Sequence, residues 1–419
     1  MVGVSLMLIV ARGEPASAQQ GNGSPPAPID DTIEAGEADA VEPARRLVRW
    51  NEYEGPFFTI RFGGGLLYEY ARYSQDKNSK AQIDLTPEAK LRDTRLLFKG
   101  RLKFKRSVTW SAGLMYDGPT DEWLVRETGV MIEMPEISGH LFVGRSKEGF
   151  SLNKIMVGYA GWTQERSTIN DATIPILADG IKWLGWIPKK RLLWNLGVYG
   201  DRLSEGQTFS SYAHQVDGRI AWVPMESEEK GRVLHLGLNL RFGRPDDGKL
   251  QLRSKPEAFP APYFVDTGSF AVNSTRLAGL EAYYRPGPLL VGTEYYFLKA
   301  DAPASGNPLV NGGNVVMSWL PTGETRVYNT RGGFFNQISP LRPVFQGGPG
   351  AWEIVTNFSY VDLDSGAIHG GKFWRFTPMV NWHLSDNVRL EMTYGYGSLD
   401  RFGLVGKTQF FQTRIQLQL

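Results

Sequence analysis

Apolar and polar side chains alternate along residues 57–72, which read FFTIRFGGGLLYEYAR. One set of alternate positions is apolar and comprises Phe58, Ile60, Phe62, Leu66, Tyr68 and Tyr70. The other set is mostly small or polar and includes Thr59, Arg61, Gly63, Gly65 and Glu69, with Leu67 as the main exception. A β-strand places successive side chains on opposite faces. The segment therefore predicts a strand with one apolar face and one hydrated face.

The same alternation recurs in sixteen short segments that are separated by turn residues. They lie near residues 57–72, 94–105, 108–117, 123–133, 138–146, 179–187, 191–200, 213–223, 232–242, 275–285, 289–299, 314–320, 351–363, 372–384, 388–397 and 409–419. Short connections such as 188–190 alternate with long ones such as 147–178 and 243–274, as turns and loops do at the two ends of a barrel. Residues 321–350 are a long connection that falls on the side of the short turns.

These segments favour a membrane-spanning barrel over a soluble fold. No stretch approaches the roughly 20 apolar residues that a spanning helix needs. A soluble β-sandwich or propeller also contains many short strands, but it would need a second sheet to cover so aromatic an outer face. We predict an all-β fold over residues 57–419, a transmembrane antiparallel β-barrel of about 16 strands with long extracellular loops.

The first 56 residues differ in composition from the rest. Residues 4–11 are apolar except for Ser5, and Ala16-Ser17-Ala18 is a small-residue cleavage pattern, so residues 1–18 predict a signal peptide. A frayed N-terminal strand is the alternative. Residues 19–56 predict a flexible acidic periplasmic lead, because they are rich in Pro, Gly and Ala and hold eight acidic and three basic residues. Since the whole chain carries +2 and the first 18 residues are neutral, residues 57–419 carry +7.

The second segment carries a strong chemical signal. If Leu96, Phe98, Leu102 and Phe104 face lipid, the opposite face carries five basic residues at six positions, namely Arg95, Lys99, Arg101, Lys103 and Lys105. Further basic candidates for the lumen, by the same alternation, are Arg61, Arg219, Arg241, Arg375, Arg389 and Arg414. Basic groups along a narrow channel raise the local anion concentration, and guanidinium forks match phosphate or carboxylate oxygens. We therefore expect an anion pathway; the alternative is that these bases only offset lumen acids such as Glu69, Glu127, Glu281, Glu294 and Glu391.

Catalytic and metal-binding patterns are weak. The chain has no cysteine, and its five histidines lack metal-ligand spacing. Gly63-Gly64-Gly65 lies inside a strand and indicates a bulge or a close packing site rather than a phosphate loop. We expect no enzyme activity, no metal site, no cofactor and no nucleic-acid partner.

Three ordered motifs resemble the phosphate-selective porin O/P family, from about Leu96 to the C-terminus. The first is Gly-Arg-Ser-Lys-Glu-Gly-Phe-Ser-Leu at 144–152, followed by Gln-Glu-Arg-Ser at 164–167. The second is Pro-Thr-Gly-Glu-Thr-Arg-Val-Tyr at 321–328. The third is Gly-Ala-Trp-Glu at 350–353 with Ser-Tyr-Val-Asp-Leu at 359–363, then Asn-Trp-His-Leu at 381–384 and Asn-Val-Arg-Leu at 387–390.

This resemblance implies a 16-stranded, usually trimeric porin of a Gram-negative outer membrane, with its third extracellular loop folded into the barrel. By location in that loop, Lys147, Lys154 and Arg166 become candidates for the anion constriction, although Arg166 could instead anchor the loop to the wall. The resulting hypothesis is passive diffusion of phosphate, polyphosphate or small organic anions, with the lipid bilayer and lipopolysaccharide as surroundings. The alternatives are a non-selective diffusion porin and a loop-plugged structural or adhesive barrel.

Overall fold

The computed structural model describes residues 51–117, 121–156, 158–200, 212–227 and 231–419. Its main strands are β1 Thr59–Gln75, β2 Glu88–Leu102, β3 Val108–Asp117, β4 in two pieces (Glu122–Val125 and Thr128–Met134), β5 Gly139–Ser146, β6 Ala178–Ile187, β7 Leu192–Gly200, β8 Tyr212–Ser227, β9 Arg232–Pro245, β10 Ser274–Pro286, β11 Leu289–Asp301, β12 Leu309–Trp319, β13 Ala351–Ser365, β14 Ile368–His383, β15 Val388–Arg401 and β16 Leu404–Gln418. The helices are α1 Lys77–Gln82, α2 Leu152–Ile155 and α3 Thr168–Thr173, with 3₁₀ turns at Pro135–Ile137, Gly158–Ala160, Pro188–Lys190, Pro303–Ser305 and Val344–Gln346. No helix in these ranges is long and apolar enough to span a membrane.

Within the described ranges, β1 to β16 form one closed antiparallel sheet. Each strand bonds to its neighbours along the chain, and β16 returns to β1, where Gly65 pairs with Gln418 and Gln75 pairs with Thr408. Glu52–Glu54 adds a short strand against the start of β1. The predicted barrel of sixteen strands is confirmed. The predicted signal peptide and the predicted lead up to residue 50 lie outside the described residues.

The two ends of the barrel differ in their connections. One end, called the turn end, has short connections at 135–138, 188–191, 287–288 and 384–387. The other, called the loop end, has the long connections 147–177 and 246–273. Residues 320–350, between β12 and β13, lie at the turn end, as the strand parity predicts.

Alternate side chains on each strand point outward and inward as predicted. On β1, Tyr68 and Tyr70 are exposed on the outside, whereas Glu69 and Ala71 are fully buried inside. Phe62 and Phe98 lie opposite each other on β1 and β2, with ring centroids 5.4 Å apart. The outer face is therefore the apolar one that meets lipid.

Several strand boundaries differ from the prediction by a few residues, among them those of β2 and β12. β12 begins at Leu309 rather than 314, because Gly312 and Gly313 belong to the strand. A Cβ on Gly312 would lie 3.0 Å from the Cβ of Ile169 in α3, so this glycine allows a loop to approach the wall closely. β2 begins at Glu88 rather than 94 and ends at Leu102 rather than 105.

Three connections fold into the barrel. We call residues 147–177 the inner loop, residues 246–273 the cover loop and residues 320–350 the turn-end insert. One buried apolar cluster joins the inner loop (Phe150, Ile169) to the cover loop (Leu252, Phe264) and to the wall. A second joins the inner loop to the turn-end insert, through residues that include Leu152, Trp162, Tyr328, Phe334 and Phe335. The inner loop therefore packs between the two other segments.

Charge on the lipid-facing surface should destabilise the barrel. Leu280 lies at the middle of β10 with 61% of its surface exposed on the outer face. Leu280→Arg should cost about 2–4 kcal/mol of unfolding free energy, because the guanidinium would sit near the bilayer midplane. Leu341→Arg is the matched control, since Leu341 is 70% exposed in the turn-end insert outside the strands. Denaturant unfolding in lipid vesicles measures both, and equal costs would contradict the lipid-facing assignment.

Candidate functional site: the filled lumen

The first part of the inner loop is held by polar side chains of the wall. Ser151 N donates to Asn239 Oδ1 at 2.9 Å, and Leu152 N donates to Glu281 Oε1 at 2.9 Å. Asn153 N donates to Glu294 Oε1 at 2.8 Å, and Ser151 Oγ donates to the other oxygen of Glu294 at 2.6 Å. These amides begin α2, where backbone N–H groups have no partner within the helix. The wall residues of β9, β10 and β11 therefore cap α2.

The second part of the inner loop is held through its carbonyl groups. Arg389 donates to Gly161 O at 2.7 Å, and Arg326 of the turn-end insert donates to Ala160 O at 2.7 Å. Further wall contacts join Gln416 to Tyr159 O, Asn381 to Trp162 O, Arg414 to Gln164 O and Arg241 to Thr173 O. A buried carbonyl needs a donor, so these side chains satisfy the loop backbone inside the barrel.

The predicted lumen arginines of β8, β9, β14, β15 and β16 are buried. Arg219 pairs with Glu281 at 2.8 Å, Arg241 with Glu148 at 3.1 Å, Arg389 with Glu391 at 2.5 Å and Arg414 with Glu69. Arg375 donates to two cover-loop carbonyls, of Pro256 and Glu257, and to Gln412 at 2.6 Å. Each of these five arginines therefore binds an inserted segment, and Arg219, Arg389 and Arg414 also bind wall acids.

The three basic candidates of the inner loop donate hydrogen bonds to carbonyl groups of the same loop. Lys147 Nζ donates to Met156 O at 2.8 Å, and Lys154 Nζ donates to Ile174 O at 2.9 Å. Arg166 donates to Asn153 O and Lys154 O, each at 3.2 Å, which are within the loop rather than on the wall. Burial, reinforced by the charge of Arg166, lowers the pKa of Lys154 to about 7.

The five basic residues predicted on the inward face of the second strand (Arg95, Lys99, Arg101, Lys103 and Lys105) form what we call the basic stripe. The stripe lies along a more solvent-exposed part of the lumen wall. Arg95 is 8% exposed, pairs with Asp93 at 2.6 Å and lies 4.7 Å from the ring centroid of Tyr159. Lys99 is half-buried opposite Arg61 of β1, and Arg101 is exposed. Lys103 and Lys105 follow the end of β2 and are exposed, and Lys103 pairs with Glu54 at 2.8 Å. The structure therefore places Arg61, Lys99 and Arg101 together near the turn end.

Two further basic residues extend this stripe toward the loop end. Lys90 lies opposite Glu69, and Arg92 pairs with Glu165 of the inner loop at 2.9 Å. The sequence prediction missed both, because a bulge at Arg92 lets Leu67 pair with Asp93 and Tyr68 with Leu91. Such a bulge shifts the alternation by one residue.

The narrow part of the stripe lies where the inner loop meets β1 and β2. A Cβ on Gly65 would lie 2.4 Å from the Tyr159 hydroxyl, so the predicted close packing site at Gly63-Gly64-Gly65 is confirmed. Glu165 lies nearby, and burial by itself would raise its pKa. Arg92 and Arg414 outweigh that effect and lower the pKa of Glu165 to about 2. The Glu165 carboxylate is therefore ionised and offsets part of the basic charge here.

The turn-end insert also carries an anchor that the sequence prediction did not assign. Arg326 and Glu353 form a buried pair with Arg326 Nη2 at 2.8 Å from Glu353 Oε1 and 2.9 Å from Oε2. Tyr328 is hydrogen-bonded to His235 at 2.6 Å, and Gly333 O accepts from Arg219 at 2.7 Å. Arg326 and Glu353 belong to the second and third family motifs, which was the signal available for finding them.

Comparison with known proteins places these features in a family. Residues 60–419 match the family described as phosphate-selective porin O and P. Porin O of Pseudomonas aeruginosa is 24% identical over 217 residues, which cover 45% of this chain and 48% of that protein. The chain thus spans about half the length of this curated relative.

Solved porin structures share the fold at low sequence identity. The anion-selective porin from Comamonas acidovorans is 13% identical with a TM-score of 0.54, covering 86% of this chain and 100% of that one. OmpT of Vibrio cholerae, in its trimer form, is 12% identical with a TM-score of 0.54, covering 87% and 100%. These similarities concern the barrel.

Loss of the insert anchor should destabilise the protein strongly. Arg326→Met leaves the buried Glu353 carboxylate without the guanidinium that neutralises it and should cost about 3–5 kcal/mol of unfolding free energy. Arg326→Met combined with Glu353→Gln should recover part of that cost, because the orphan charge is gone. Lys372→Met, which breaks the half-exposed pair with Asp362, should cost less than about 1 kcal/mol. Denaturant unfolding measures all three, and a cost for Arg326→Met as small as that of the control would contradict the anchor.

Proposed function

Since the chain belongs to the phosphate-selective porin O and P family, we propose that this outer-membrane porin lets small anions diffuse passively along a basic route in its lumen. The proposed solutes are phosphate, polyphosphate and small organic anions. The route follows β1 and β2 from Lys90 and Arg92, past Arg95, to Lys99 and Arg101.

The uneven filling of the lumen is the observation that carries this proposal. Inward side chains on β8 to β15 are sealed by the three inserted segments, and Arg219, Glu353 and Arg375 are fully buried there. On β1 and β2, Arg61 and Lys99 are only half-buried and Arg101 is exposed. Water and solute therefore have access to the wall where basic residues are concentrated.

The balance of charge along β2 differs from that on the sealed side of the lumen. On the sealed side each ion pair brings one base and one acid together, so its field largely cancels. Along β2 the acids Asp93 and Glu165 pair with Arg95 and Arg92, and the exposed Arg101 lies beyond these acids toward the turn end. A basic wall in a narrow low-dielectric channel lowers the barrier for anions.

A loop-plugged barrel is the second candidate, and a specific observation favours it. The inner loop, the cover loop and the turn-end insert pack against one another through buried apolar clusters. Single-channel recording separates the two functions, because a plugged barrel carries no current and a non-selective porin carries current without anion preference.

We also propose a homotrimer. The strands β3, β5, β6 and β7 have 8 to 10 residues, whereas most other strands have 13 to 17. These short strands make one side of the barrel wall lower than the rest, which suits contact with a neighbouring protein rather than with lipid. The similar OmpT structure was solved in a trimer form.

Neutralising the wetter part of the stripe should change ion selectivity. Lys99→Gln, Arg101→Gln and Lys103→Gln together should shift the reversal potential in a salt gradient from anion toward cation preference. High salt should blunt the wild-type preference, since the screening length is about 8–10 Å at ordinary salt. Lys372→Gln on the outer face is the control and should leave the reversal potential unchanged. An unchanged potential in the triple variant at low salt would favour the non-selective porin.

Removing the turn-end hairpin should open space on the covered side of the lumen, next to β8 and β9. Val327 O accepts from Asn336 N at 2.8 Å, so two glycines can replace residues 328–335 without moving the flanking chain. This deletion should raise single-channel conductance, because Tyr328, Phe334 and Phe335 leave the lumen. Wild-type protein without conductance, opened only by the deletion, would establish the plugged barrel instead.

A further inference from the structure

A row of basic side chains lies on the outside of the barrel at the loop ends of β8 to β11. It comprises His214, Arg244, Arg276 and Lys299, all exposed. His214 lies opposite Arg244, and Arg276 lies opposite Lys299. Because adjacent strands are about 4.8 Å apart, the row spans about 15 Å across four strands.

The row borders the lipid-facing apolar surface. On the same outer face, Phe242 lies beside Arg276, and Val216, Leu240, Leu280 and Phe297 lie closer to the middle of the barrel wall, each exposed. The neighbours of Arg276 along the strand, Thr275 and Leu277, are buried inside, so Arg276 itself points outward. The four side chains thus lie where the hydrocarbon region gives way to the headgroups of the outer leaflet.

Within the described ranges, the two arginines of this row have no protein partner. Across the residues that the structure describes, neither guanidinium makes a hydrogen bond or an ion pair, whereas Lys299 Nζ donates to Asn307 O. The acids nearest in sequence, Asp246, Asp247 and Asp301, lie farther from the apolar surface, in or next to the connections. By contrast, the outward Lys372 on β14 is neutralised by Asp362 at 2.9 Å.

We propose that Arg244 and Arg276, flanked by His214 and Lys299, bind the phosphate groups of lipopolysaccharide at a defined site on the outer wall. A guanidinium fork matches phosphate oxygens, and two free forks on adjacent strands offer a bidentate site at headgroup depth. Lipopolysaccharide is the phosphorylated lipid of the leaflet at the loop end. This site is separate from the lumen and does not depend on the solute that the porin carries.

The test is lipopolysaccharide binding by the full-length protein in detergent. Purified rough lipopolysaccharide is titrated against wild type, Arg244→Gln/Arg276→Gln, Arg244→Lys/Arg276→Lys and the control Lys372→Gln, with binding followed by native mass spectrometry. The double Gln variant should bind about 30-fold more weakly, since each basic residue near an anionic surface contributes about 1 kcal/mol and about 1.4 kcal/mol is a factor of ten. The double Lys variant keeps the charge but loses the forks, so it should bind with an affinity between those of wild type and the double Gln variant, and Lys372→Gln should match wild type.

Separate measurements distinguish the lipid source and the fold. Dephosphorylated lipopolysaccharide and phosphatidylglycerol should both bind wild type more weakly than intact lipopolysaccharide. Migration on gels before and after boiling checks that each variant forms the barrel. Unchanged lipopolysaccharide binding by a correctly folded double Gln variant would overturn the proposal, as would equal binding of phosphatidylglycerol. Loss of self-association with unchanged lipid binding would also overturn it and make the row a contact between copies.

Discussion

The satisfaction of backbone hydrogen bonds in lipid is the constraint on which the rest of this structure depends. A strand in hydrocarbon cannot leave its N–H and C=O groups unpaired, so β1 must find β16 and the sheet must close. Closure with sixteen strands sets a diameter that wall side chains alone cannot fill. Three connections occupy that space, and each brings its own polar backbone into the barrel. The same requirement for partners then recurs inside the lumen.

Wall arginines and carboxylates provide the hydrogen-bond partners that the backbone of the inserted segments needs. A guanidinium has five donors in a fixed fork, so Arg414 can reach Glu69, Glu165 and Gln164 O together. Burying such charges is unfavourable unless they are paired and hydrogen-bonded, and here each arginine has an acid or several carbonyl groups. These interactions make the position of the inner loop specific. They also mean that a base pointing into a porin lumen is not necessarily available to a solute.

The number and direction of the strands could be predicted from alternation, because Tyr68 and Glu69 already distinguish the lipid face from the lumen. The prediction failed where a local feature interrupted the period of two. Gly312 reads as a loop residue but allows α3 to approach β12, and the bulge at Arg92 hid the upper end of the basic stripe. Parity placed residues 321–350 at the turn end, but no sequence period shows that they fold inward. The pair of Arg326 with Glu353 depends on contacts that only the closed barrel brings together.

Basic residues at inward positions therefore differ in exposure. Contact with an inserted segment determines whether each one is buried or exposed. Arg414 and Arg101 both face the lumen, but Arg414 meets the inner loop and is buried, whereas Arg101 meets no inserted segment and remains exposed. A buried pair contributes little field at a distance because its charges cancel. An exposed base near water keeps a long-range effect that salt can screen. The charge that a solute meets in this lumen is consequently set by how the lumen is filled, and the count of inward bases is a poor measure of it.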